Sequence, residues 1–537
     1  MKFVSRKFIF ASLSIIAVFC LFGQVKKTAS KPIRPKKTTI VRWEHADVLS
    51  FDQAVNPDVQ VLRGNVVFRH DSAYMYCDSA YFYEKTNSLE AFNNVRMEQG
   101  DTLFVYGDHL YYDGNTQIAY LRNNVRMENG QVTLFTDSLN YERIPNIGYF
   151  FEGGMIVDSL NQLSSFYGQY SPETKDATFN DSVRLENPKF TLYSDTLLYN
   201  TNSKIATITG PSTIVSDSGT IQSAHGWYNT EKNTALLLDR SRVDSKSKTR
   251  SLIGDSIYYD RDKGYGEAFG NIFITDTVQH IDLRGDYGYY NEKDESAFAT
   301  GKAFVQQYSA SGGDTLFLHA DTLQMITIDS TYRRVKAFYG VRFYRADIQG
   351  VCDSMLYDTR DSLLHMYNNP VLWNENYQLY GDTISIHMND STPDFAHVKQ
   401  FAMACQQVDS TSSFYDQLSG KDLKAYFEGK EIRQIDVEGN AESIFYPQEK
   451  DSSIVGLNAT KSGFLTIWIK DRKLDHLKIW PTPEGSMTPI PDLKPEQKTL
   501  RNFFWLDYLR PLNQKDIFRE VKRKEAQVPK RSNKFIP

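Results

Sequence analysis

The sequence predicts an all-β fold, an elongated solenoid of about thirteen stacked units of bent antiparallel strands, each about 30 residues long. Three observations predict it. One short pattern returns thirteen times at a nearly constant step. Apolar and polar residues alternate around each copy. Polar turns separate the copies, and no helical period runs through them.

The pattern is small residue, Asp, polar, apolar, any, aromatic, first seen at Ala46-Asp47-Val48-Leu49-Ser50-Phe51. It returns with Asp78, Asp108, Asp137, Asp195, Asp255, Asp286, Asp321, Asp353, Asp382 and, more weakly, Asp422, while Phe166 and Ala224 hold the Asp place in two copies. Steps run from 29 to 35 residues, with a last step of 40. A fixed period of this size is the signature of a stacked repeat. An acidic group written eleven times is a ladder, with an expected job in hydrogen bonding to backbone at a bend.

Within a unit, the second and fourth residues after the Asp are apolar: Leu110 and Tyr112, Leu139 and Tyr141, Leu197 and Tyr199, Ile257 and Tyr259. Tyr228 and Tyr290 continue the aromatic column. The residues between are mostly polar, so the segment reads as a strand with one buried face. A second strand follows half a unit later with Gly or Asn at its middle, as in "RGNVVF", "FNNVRM", "RNNVRM" and "FGNIFI". Gly inside a strand marks a bulge or bend. Turns such as "DGNTQ" and "NTEKN" join the two. One unit cannot bury its apolar face alone, so units must stack. At roughly 4.8 Å per strand the rod is on the order of 120 Å long. The inner column of Leu110, Tyr112, Leu139, Tyr141, Leu197, Tyr199, Tyr228, Ile257, Tyr259 and Tyr290 is either plain core or the lining of an apolar groove for acyl chains; stacking on sugars is a third use.

The margins differ from the array. Lys2, Arg6 and Lys7 precede an apolar run from Phe8 to Phe22, so residues 1–24 read as a secretory signal peptide or N-terminal anchor. Residues 25–42 form a basic leader, 43–480 the solenoid, and 481–537 a Pro-rich linker, a short docked segment and a basic tail. Net charge is -5, with no basic face for nucleic acid. Cys77 and Cys352 share one repeat position nine units apart, beyond disulfide reach. The sequence holds no nucleophile elbow, HExxH, P-loop or CxxC, so no catalytic residue, metal or cofactor is expected.

The segments "LRGNVVFRHDSAYMYCDSAYFY", "LEAFNNVRM" and "YGDHLYYD" resemble the OstA-like family of LptA-type lipopolysaccharide transport proteins, over about residues 43–445. The resemblance implies a periplasmic β-jellyroll, V-shaped in section, that carries lipopolysaccharide or a similar acylated glycolipid toward the outer membrane with acyl chains in its groove. It also implies peripheral contact with membranes and other envelope lipid-transport proteins stacked at the rod ends. The array is longer than one LptA-type unit, and is similar in this to the long OstA-like proteins of Bacteroidota. The residues after it are too few for a transmembrane barrel to be expected among them. Two other functions stay open: a scaffolding solenoid with a packed core, and a polysaccharide-acting β-helix enzyme.

Overall fold

The computed structural model describes residues 39–524, apart from 55, 279, 309–314, 330–331, 390–391, 410–412, 430, 450–452 and 472. The signal segment, most of the leader and the end of the basic tail lie outside the described residues. Among the described residues the array is one antiparallel sheet of 34 strands in which each long strand pairs with the next. Most run 11 or 12 residues, like Leu103–Asp113 and Ile118–Asn129.

Every long strand is bent at its middle, and the backbone shows why. Arg122 pairs with Ser138 and Val125 with Thr136, so Asn123 and Asn124 together face the single residue Asp137. Two residues against one is a β-bulge, which bends the strand. Both bulge residues take left-handed dihedrals: φ is 63° and 48° at Asn123 and Asn124, and 71° and 45° at Gly270 and Asn271. Gly and Asn bear that conformation at least cost, which is why the sequence repeats "NN" and "GN". The ladder Asp lies opposite each bulge. Its usual partner is an Asn side chain rather than the expected backbone: Asn94 to Asp78 at 2.8 Å, Asn124 to Asp108 at 2.6 Å and Asn271 to Asp255 at 2.7 Å. The backbone N–H of Asn124 does reach Asp137, at 3.2 Å. A Cβ on Gly64 would lie 2.2 Å from Asp47 Oδ2, so the close approach requires glycine there.

The bends divide the sheet into two wings. The tyrosine wing carries Leu110 and Tyr112; the facing wing carries Met97, Met127 and Leu134. Their inner faces pack on each other. Phe68 and Phe82, from opposite wings, stand 5.7 Å apart, as do Phe190 and Tyr228 at 4.5 Å. On the tyrosine wing, rings alternate with small residues in register: Tyr112, Ala119, Tyr141, Gly148, Tyr170, Ala177, Tyr199. Large beside small lets each ring lie flat without a void.

The structure differs from expectation at both margins. Residues 39–42 are docked rather than part of a leader: Val41 is buried, and the Thr39 hydroxyl lies 2.8 Å from His70 Nε2. Inside the Pro-rich stretch, Glu484–Pro489 forms a strand on Gly456–Lys470. Residues 498–524 then run back along the outer surface of the facing wing. Gln417 donates to the Lys498 carbonyl at 2.8 Å, Tyr380 to Asn502 at 2.9 Å, Gln378 to Phe504 at 2.8 Å and Arg342 to Leu509 at 3.0 Å. Leu506 and Leu509 are buried there against Val371, Trp373, Tyr380 and Met403. The strap reaches Phe518 on Phe304, ring centroids 5.5 Å apart, and then turns back to set Arg523 over the Tyr380 ring at 5.7 Å. Cys77, Cys352 and Cys405 are free and buried.

Candidate apolar groove

The inner faces are not equally covered along the rod. Among the residues singled out from sequence, Leu110, Tyr112, Leu139, Tyr141, Leu197, Tyr199, Tyr228 and Ile257 are buried. Tyr259 is half-buried, and Tyr290 is 37% exposed. The first eight are covered by protein. The last two stand where the wings part.

Over the N-terminal section, polar clasps close the mouth between the wing edges. Tyr112 meets His70 Nδ1 at 2.7 Å and accepts from Arg143 at 2.7 Å, while Arg143 Nε reaches Gln99 at 3.0 Å. Tyr170 donates to Asn129 at 3.2 Å, and Lys175 also donates to Asn129. Tyr199 donates to Asp158 at 2.6 Å, with Lys204 3.0 Å from the same carboxylate. Burial pushes the Asp158 carboxyl up, but the Tyr199 hydroxyl, two backbone N–H groups and Lys204 outweigh it and hold the pKa below the ordinary value. Burial pushes the His70 pKa down, so its ring is neutral at pH 7. A looser clasp sets Lys189 3.5 Å from Asp262.

Beyond this the interior opens. On the facing wing, Ile221, Val243, Leu252, Ile274, Leu283 and Val305 are register partners in one unbroken row. All six are half-buried, whereas their row-mates Met97, Met127, Leu134, Leu163 and Leu185 are at most 1% exposed. On the tyrosine wing the row Tyr259, Gly266, Tyr290, Ala297, Met325, Val335, Tyr357 opens likewise. The buried core divides at the same place into two clusters, ending at Ile272 and resuming at Ala299. Farther on, Phe343, Leu372 and Leu379 are buried again. The result is a slot, roughly 25 Å long for six strands, with apolar walls and a polar rim. On the facing wing the rim carries exposed Lys246 and Lys248, and Arg250 paired with Asp276 at 2.8 Å.

The sequence reading took its groove residues from the tyrosine wing. It missed the facing row, whose signal lies in the apolar residue two places after each bend valine or isoleucine, such as Met97 and Ile274.

The architecture defines a class: a β-rod of bent antiparallel strands, two wings enclosing an apolar interior. The comparisons then name a family. Residues 37–195 match the family model of the OstA-like proteins. No curated protein matches the chain. Among solved structures it is similar to LptH of Pseudomonas aeruginosa, the LptA homologous periplasmic component of the conserved lipopolysaccharide transport device. That likeness is local, 18% identical over 22% of this chain and 82% of LptH, with a TM-score of 0.20.

Proposed function

We propose that this chain is a non-enzymatic carrier that holds the acyl chains of lipopolysaccharide, or a similar acylated glycolipid, and bridges them through the periplasm toward the outer membrane. The observation that carries this reading is the slot between the two half-buried apolar rows. Each methylene moved from water into such a slot gains about 0.8 kcal/mol. An alkyl chain suits it better than a peptide, because apart from the hydroxyls of Tyr259, Tyr290 and Tyr357 the inward residues of both rows offer no partner for peptide groups. The OstA-like match supports a glycolipid as the source of the chain. The basic N-terminal run and apolar segment support export, and among the described residues no helix is long and apolar enough to cross a membrane. At one rod end, Val48, Leu49 and Phe51 are exposed on an edge strand, which supports stacking of other envelope lipid-transport proteins there.

A scaffolding role is favoured by one observation, the fully packed N-terminal section. In the proposed carrier that section is structural and the slot is the cargo site. The test is mass spectrometry of lipid extracted from the full chain purified out of membranes without added lipid. Acylated glycolipid in near-stoichiometric amount is expected. Lipid-free protein that also takes up none from vesicles leaves the scaffold.

A further inference from the structure

The slot is bounded at both ends, and this bears on how cargo moves. Toward the N-terminus the interior is full: Met127, Leu185, Tyr141 and Tyr199 are each at most 1% exposed. There the mouth is closed by the clasps of Tyr112 with His70 and Arg143, and of Tyr199 with Asp158 and Lys204. An acyl chain sliding lengthwise would have to displace packed side chains and strip buried donors and acceptors of their partners. Toward the C-terminus, Leu372 and Leu379 are fully covered, and the strap pins the outer surface of that stretch through Gln378 and Tyr380.

We infer that acyl chains enter and leave sideways, through a window in the open edge between the strands Gly219–Ser223 and Leu316–Thr327, and that the section ending at the Asp158–Tyr199 clasp is a sealed wall rather than a conduit. This rests on the acyl-carrier reading and deepens it. Three features of burial coincide at the window: the facing row becomes half-buried from Ile221 to Val305, Tyr290 emerges on the opposite lip, and the buried core breaks between Ile272 and Ala299. The lips also differ in chemistry. Residues 245–250 place Lys246, Lys248 and Arg250 on one lip within six residues, and the charge of Arg250 acts on the Tyr290 hydroxyl of the other. A cationic lip over an apolar slot suits an amphiphile whose alkyl chains lie inside while its phosphates stay outside, held by charge-assisted hydrogen bonds. The slot is short, so each chain holds one glycolipid at a time instead of a continuous file.

The test uses the full chain and vesicles of phosphatidylethanolamine carrying lipid A. A diazirine side chain is placed at Val243 or Leu283 in the window, and at Met127 or Leu185 in the sealed section. Lipid adducts at least ten-fold more abundant at the window positions, at one lipid A per chain, are expected. In a second arm, Arg250→Cys and Tyr290→Cys are combined in a Cys20→Ser background and bridged by a bis-maleimide, with the unbridged double variant and each reagent-treated single cysteine as controls; Cys77, Cys352 and Cys405 are buried. Bridging is expected to cut lipid uptake at least ten-fold below that of the same double variant left unbridged. Equal adducts at Leu283 and Met127, or full uptake by the bridged protein, overturn the window and leave the carrier reading standing. A folded protein with no adduct at any position overturns both.

Discussion

The Tyr199 hydroxyl donates a 2.6 Å hydrogen bond to Asp158 Oδ2, tying the two wings together across the mouth of the rod. Asp158 is buried, so its charge depends on the donors around it. Tyr199→Phe removes one donor and is expected to destabilise the chain by about 1–3 kcal/mol, read by urea unfolding at pH 7. The folded carboxyl titrates below its ordinary value of 3.8. Its stabilisation is therefore present above the unfolded pKa and lost as pH falls through the folded one. The gap between wild type and Tyr199→Phe should shrink over that same acid range.

The bends make a second demand. Gly64 has φ of 76° and lies against Asp47, and Asn124 has φ of 48°. Gly64→Ala and Asn124→Val are each expected to cost about 1–3 kcal/mol, because neither side chain suits the left-handed region. Asn123→Gly, at φ of 63°, should be nearly neutral. Equilibrium unfolding of the three variants checks the order.

Asp416 carries a different pH signature. Burial pushes its carboxyl up to about 7, and the Tyr446 N–H donates to it at 2.9 Å. The unfolded group titrates near 3.8, so the unfolded chain ionises first. Stability from this group is whole below the unfolded pKa and is lost as pH rises through 7. Asp416→Asn keeps the acceptor and removes the charge. It is expected to raise stability at pH 8 by roughly 1–3 kcal/mol, discounted for partial exposure, and to leave pH 4 unchanged. Thermal melts at the two pH values check it.

The strap should be held chiefly by outward polar groups on the facing wing. The Gln378 side chain donates to the Phe504 carbonyl and accepts from the Leu506 N–H, both at 2.8 Å. Gln378→Ala leaves both backbone groups without that partner, at about 1–3 kcal/mol of local stability. Trypsin cleavage within residues 515–524 should speed up several-fold, while the array stays intact.

The Asp register and the alternation around it made the repeat, the bent strands and the inward column legible in the sequence. The openness of the interior was not legible, because Tyr199 and Tyr259 occupy the same repeat position, and one is buried while the other is half-buried. What separates them is a partner: Asp158 lies in a turn about 40 residues from Tyr199, at a place the repeat does not constrain. A short docked segment was expected within residues 481–537, but where it docks was hidden for a related reason. Residues 498–524 have no strand alternation, and their signal is spread over outward apolar residues such as Trp373 and Met403 in distant strands.

The central claim is that the apolar slot holds alkyl chains, and affinity for fluorescent lipopolysaccharide measures it most directly. Ile274 and Leu283 are register partners on the facing row and half-buried. An aspartate at either place puts a charge where a chain must pack, and costs little in the free protein because water already reaches the site. Ile274→Asp and Leu283→Asp are predicted to weaken binding at least ten-fold with unfolding midpoints near wild type. Unchanged affinity in both well-folded variants would contradict the account.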